Sequence, residues 1–158
     1  MKYFTTFYKR IFLLLLLYSS SRVLFYFFNS DYFYDNILLS ILEGVRFDIS
    51  ALFYINLPLL ILLIFPTNFR EKKLYQKTTN ILFYLINIPF IVINNVDIEY
   101  FKFSQKRTTS DFFEYIALGD GADAFQVIPN YIIEFPNVTI IIIIQIFLLI
   151  TLTIAFCS

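Results

Sequence analysis

The chain has 158 residues, 59% of them hydrophobic and 21% aromatic, and a mean hydropathy of +0.72, which places it in the membrane class rather than among soluble domains. Its 12 basic and 12 acidic side chains cancel, so a nucleic-acid partner has no electrostatic basis. The single cysteine, Cys157, excludes an internal disulfide and a Cys-cluster metal site, and the lack of histidine removes the usual general base and commonest metal ligand from this chain.

A helix needs roughly 20 mostly apolar residues to cross the hydrocarbon core. Four runs qualify, at about 7–28, 37–65, 80–97 and 137–156. In the first, Tyr18-Ser19-Ser20-Ser21-Arg22 is followed by more apolar sequence rather than a small-residue cleavage site, so it reads as a retained span and not a signal peptide. Lys2, Lys9 and Arg10 precede it, and the link after it carries Asp31 and Asp35 with no basic residue. Arg70, Lys72, Lys73 and Lys77 fill the link between the second and third runs. The positive-inside rule therefore predicts a cytoplasmic N-terminus and a cytoplasmic 70–77 link, with segment 97–136 outside. The expected fold class is an all-α membrane protein, a four-span helical bundle of one transmembrane domain over 1–158.

The second run holds Glu43, Arg46 and Asp48. An ionisable group in a span costs about 2.5 to 3.5 kcal/mol on insertion scales, so all three need partners. Glu43 and Arg46, three residues apart, share a helix face and can pair. Asp48 lies roughly 200° round from Arg46, which makes Arg22 of the first run a candidate partner. The expected arrangement is a buried set with Arg46 and Asp48 paired inside the bundle and Arg22 nearby. Counting from the span ends, Arg22, Glu43, Arg46 and Asp48 fall at a similar depth in the outer half, and Asn87, Asn94 and Asn95 approach from the same side. One reading is structural, with these charges neutralising each other and locking the helices. The other is that Arg22, Arg46, Lys106 and Arg107 converge on an anion, most simply a phospholipid head group, because arginine forks match phosphate oxygens.

At the end of the third run stands the block Asn94-Asn95-Val96-Asp97-Ile98-Glu99-Tyr100-Phe101-Lys102-Phe103, followed by Lys106-Arg107-Thr108-Thr109-Ser110-Asp111. Asp97 and Glu99 form a candidate carboxylate pair for proton transfer or metal binding; the plainer reading is that they cap the third span and pair with Lys102 or Arg107. Thr108 and Thr109 are nucleophiles only beside a base, and no histidine is present to act as one. Tyr100, Phe101 and Phe103 fit an interfacial aromatic belt. Asp111-Phe112-Phe113-Glu114 reads as a helix start that ends at Gly119. Asp120 opens a second short helix, bent at Pro129 and finished before Pro136. Both mix aromatics with acids, which suits short interfacial helices between spans 3 and 4, or equally a folded surface loop. The fourth run ends at Ala155-Phe156-Cys157-Ser158 with no basic flank, which predicts that the natural protein continues.

Three of these stretches resemble the membrane part of the lipoteichoic acid synthase and phosphoglycerol transferase family, in particular the sulfatase-like members of Bacteroidetes. They are Leu17-Tyr18-Ser19-x-Ser21-Arg22-x-Leu24-Phe25-Tyr26, then Gly44-Val45-Arg46-Phe47-Asp48-Ile49-Ser50 with Asn56-Leu57-Pro58, then Asp97 to Asp111. The order is the family's; the chain departs from its pattern in having no tryptophan before the fourth span, where Phe135-Pro136 stands. The resemblance implies a bacterial inner-membrane bundle of five spans followed by an extracytoplasmic domain of the alkaline phosphatase type. That domain would carry a threonine nucleophile and a divalent metal (Mn, Mg or Zn) and transfer phosphoglycerol from phosphatidylglycerol. It further implies that chain 1–158 is a fragment without cofactor or activity of its own, its partners being membrane lipid and that downstream domain. A stand-alone four-span module binding lipid or protein without catalysis is the alternative. A transporter fragment fits less well, because no pair of runs shows internal symmetry or Gly-broken helices.

Overall fold

The computed structural model describes residues 2–33, 37–64, 72–105 and 132–157. Among them the regular structure is helical: α1 (Lys2–Phe28), a 3-10 turn (Ser30–Tyr32), α2 (Ile37–Ile55), α3 (Leu57–Ile64), α4 (Lys73–Ser104) and α5 (Pro136–Cys157), with one further helical turn at 132–134. Three stretches are long and apolar enough to cross a membrane: Phe4–Phe28, Lys73–Lys102 and Pro136–Ala155. The predicted runs 7–28 and 80–97 lie within the first two, and 137–156 coincides with the third to within one residue.

The remaining run, 37–65, becomes two helices. Pro58 has no N–H to give the carbonyl of Tyr54 and its ring crowds that carbonyl, so the ladder is interrupted at Asn56. The interruption is small: Asn56 N–H still donates to Leu52 O (3.0 Å) and Leu60 N–H to Asn56 O (3.0 Å). Helix α4 is longer than its apolar run. It holds 32 residues, about 48 Å at 1.5 Å per residue, against a hydrocarbon core of about 30 Å. Lys73 and Lys77 therefore lie on its first turns and Asp97 to Phe103 on its last. Gln105 closes it in the left-handed conformation (φ 56°), its N–H on Phe101 O at 2.9 Å.

The helices alternate in direction. Arg10 near the start of α1 meets Asn80 near the start of α4, and Phe25 near the end of α1 meets Phe101 near the end of α4. Between them α2 and α3 run back, so that Tyr75 Oη of α4 donates to Leu62 O of α3 (2.6 Å). Helix α1 is central, packed on α2, α4 and α5, with α5 also on α4. Among its buried residues Phe7, Ile11, Leu14, Tyr18, Ser21 and Phe25 alternate by four and three, the spacing of knobs-into-holes seams, with Leu13 and Leu17 buried beside them. Polarity runs inside out. Ser21, Asn56, Asn87, Asn95 and Gln145 are buried while Leu16, Val23, Leu85, Ile143 and Phe147 are exposed. That is the pattern of a bundle whose solvent is hydrocarbon, where hydrogen bonds between helices replace the hydrophobic drive to associate.

Candidate functional site

Helix α1 links the described parts of the stretches that carry the resemblance: its Arg22 meets Asp48 of α2 and its Phe25 meets Phe101 of α4, while residues 106–111 fall outside the described residues. Gly44, Asp48 and Leu52 of α2 and Asn56 just after it are buried, each four apart, so one narrow face turns inward. Asp48 takes the guanidinium of Arg22 in a two-pronged contact, Nε to Oδ2 at 3.0 Å and Nη2 to Oδ1. The two side chains are 13% and 12% exposed, so the pair is desolvated and the fork geometry matters. Gly44, one turn before Asp48, makes room for it: a Cβ there would overlap the Arg22 guanidinium.

Here the structure departs from expectation. The partner of Asp48 is Arg22, not Arg46. Three α-helical residues bring Arg46 and Glu43 to one face and leave Asp48 on the other. Glu43 and Arg46 are exposed, and no ion pair among the described residues joins them to each other or to Asp48. The buried polar set thus keeps Asp48 and loses Glu43 and Arg46.

A second polar layer lies beside the first. Ser21, adjacent to Arg22 in sequence, turns the other way, toward α5 and α4. Gln145 Nε2 donates to Ser21 Oγ (2.9 Å) and Ser20 Oγ (3.1 Å), and Asn95 Nδ2 donates to Gln145 Oε1 (2.8 Å). Nearer the end, Asn29 Nδ2 donates to Ile98 O (3.0 Å) and Phe25 O (3.0 Å). Asn87 does not join these layers. It forms a reciprocal amide pair with Asn56 at mid-bundle, 2.8 and 3.0 Å.

The end itself is capped by rings. Phe101 stacks on Phe33 (5.6 Å, 16°) and meets Phe25 (5.1 Å) and Tyr32 (5.8 Å) edge-on. Such contacts add to burial. Phe101 is therefore an internal clasp of α1, the 3-10 turn and α4, beyond the belt role expected of it. Asp97 and Glu99 are both buried. Glu99 accepts from Lys102 Nζ at 2.9 Å, as the plainer reading held, and Lys102 lies 5.9 Å from the Phe28 ring centroid. Asp97 and Glu99 sit roughly 200° apart around the helix and do not converge on one ion, and among the described residues no group of three acidic, His or Cys side chains could hold a metal. Lys106, Arg107, Thr108 and Thr109, and the two interfacial helices expected over 111–135, fall outside the described residues except for 132–135.

Of the four head-group candidates, Arg22 is engaged by Asp48, and Arg46 faces away from it. The sequence reading missed Ser20, Ser21, Asn29 and Gln145. Their signal was present: isolated polar residues inside apolar runs, which in hydrocarbon must find one another. In comparisons with known proteins, no family model, no curated protein and no solved structure matches the chain.

Proposed function

We propose that this chain is the membrane-embedded anchor of an inner-membrane phosphoglycerol transferase or sulfatase-like enzyme. In this reading α2 and α3 together make a fourth span, and the bundle holds a catalytic domain near the outer leaflet and presents a lipid head group to it. One observation carries it. The motif residues engage one another, Arg22 with Asp48, Gly44 against Arg22, Phe25 with Phe101, rather than gathering around a space where a substrate would react. Side chains so engaged fix helices. A group that attacks or transfers protons must instead be aimed at a reacting atom. The divalent metal belongs, in this reading, to the downstream domain. Head-group capture then rests on Lys106 and Arg107, which follow the end of α4 directly in sequence.

The test uses purified chain 1–158 in proteoliposomes with fluorescent phosphatidylglycerol and manganese or magnesium. No turnover is expected. Retention of phosphatidylglycerol over phosphatidylcholine is expected, and is lost in Lys106→Ala/Arg107→Ala. Turnover abolished by Thr108→Ala or Glu99→Ala would make the chain an enzyme in its own right and end the anchor reading. Equal retention of both lipids by the unaltered chain removes the head-group role and favours a plain structural module.

A further inference from the structure

The outward face of α2 differs from every other outward face among the described residues. At depth, α1 turns Leu16, Ser20 and Val23 outward, α4 Leu85, and α5 Ile143 and Phe147, none of them charged. Helix α2 turns out the charged Glu43 and Arg46, with Ser50, among the exposed apolar Leu42, Phe47, Ile49 and Phe53. Glu43 and Arg46 lie six and nine residues past the start of the helix, about 9 and 14 Å along it. Charges at such depth in hydrocarbon are costly and mark a partner.

The same face has a regular seam. Glu43, Phe47, Ser50, Tyr54, Leu57 and Ile61 are all exposed and are spaced four, three, four, three and four. This is a heptad stripe continuing from α2 into α3, with Arg46 on its flank. It lies opposite the Gly44, Asp48, Leu52 face that packs on α1. A stripe of this period is built to meet another helix at a shallow crossing angle.

We propose that this face is a self-association surface, on which a second copy of the chain packs its own α2 and α3 in parallel and exchanges Glu43–Arg46 ion pairs. The charge pattern selects the occupant. Two copies inserted with the same orientation are related by a two-fold axis along the membrane normal, so the patch must be complementary to itself. An acid and a base one helical turn apart satisfy that condition: the two Glu43 carboxylates meet across the seam, the flanking Arg46 of each copy offsets their repulsion, and the four charges sum to zero. An anionic lipid suits Arg46 but is repelled by the adjacent Glu43. Ser50, small and polar, sits on the seam where close backbone approach and a hydrogen bond between helices both help. The proposal rests on the reading of α2 and α3 as a span, and not on which enzyme the chain anchors.

Oxidative cross-linking of the full chain carrying Cys157→Ser, in proteoliposomes at low protein-to-lipid ratio, tests it. Ser50→Cys should give a disulfide-linked dimer about tenfold more abundant than Leu85→Cys or Ile143→Cys, the difference a 1.4 kcal/mol preference produces. Glu43→Arg alone, or Arg46→Glu alone, should remove most of that excess. The double swap Glu43→Arg/Arg46→Glu should restore it, since the exchanged pair is still self-complementary. Should the single swaps fail to accumulate in the membrane, Ser50→Cys with and without the double swap decides. Cross-linking no greater than the controls overturns the proposal. So do single swaps that leave it unchanged, and so does a phosphatidylglycerol dependence of Arg46 without a dimer.

Discussion

Arg22 is the residue on which this end of the bundle turns. Its guanidinium is shared between a carboxylate that accepts both prongs and a glycine that yields the space. Removing one partner leaves the other charge buried without compensation, which costs about 3 to 5 kcal/mol for a desolvated pair. Asp48→Ala and Arg22→Ala are each expected to lower stability by that amount in reversible unfolding from mixed micelles; a loss under about 1 kcal/mol would equal an exposed pair and contradict the burial seen here. Gly44→Ala is expected to cost about 1 to 3 kcal/mol by overpacking. That cost should shrink in an Arg22→Ala background, because the atoms a Cβ would strike are gone; a purely additive double-mutant cycle would place the strain elsewhere.

At the scale of elements, apolar runs locate helices but do not bound them. Polar side chains end a hydropathy window at about residue 97, yet the backbone ladder of α4 continues to Ser104, because main-chain hydrogen bonding is indifferent to side-chain polarity once water is available outside the hydrocarbon. The break at Asn56 was written in Pro58, but the run's continuous hydropathy masked it. The helical angle of about 200° between Arg46 and Asp48 argued against their pairing and left Arg22 as a candidate, yet the arrangement expected was Arg46 with Asp48, and the structure pairs Asp48 with Arg22. The Gln145 layer was not legible, because choosing among several buried amides and hydroxyls requires knowing which helices are neighbours. The Asn56–Asn87 pair joins the interrupted helix to α4. Asn87→Leu should therefore destabilise by about 0.6 kcal/mol and at most about 1.7, the range for hydrogen bonds between membrane helices. A loss of several kcal/mol would mean that the amides do more than join helices.

For the whole molecule, orientation is the first property to test. Basic residues gather in the first turns of α1 and at the start of α4, and the opposite end carries Asp31, Asp97 and Glu99 against Lys102, so the basic end is expected to face the cytoplasm. In intact cells bearing Cys157→Ser, Ser104→Cys should react with an impermeant maleimide and Lys73→Cys should not; the reverse pattern inverts the topology. The arrangement of α1 and α4 has a mechanical corollary. They lie side by side and are fastened near both extremities, by Arg10 on Asn80 and the Phe83 ring (5.0 Å) at one and by Asn29 on Ile98 O with the Phe101 rings at the other. Two rods so fastened cannot slide past each other. Pro89, midway along α4, leaves the Leu85 carbonyl without its usual donor and supplies the compliant point. Bending of α4 is thus concentrated at Pro89, between the two fastenings, and both of its ends keep their register against α1.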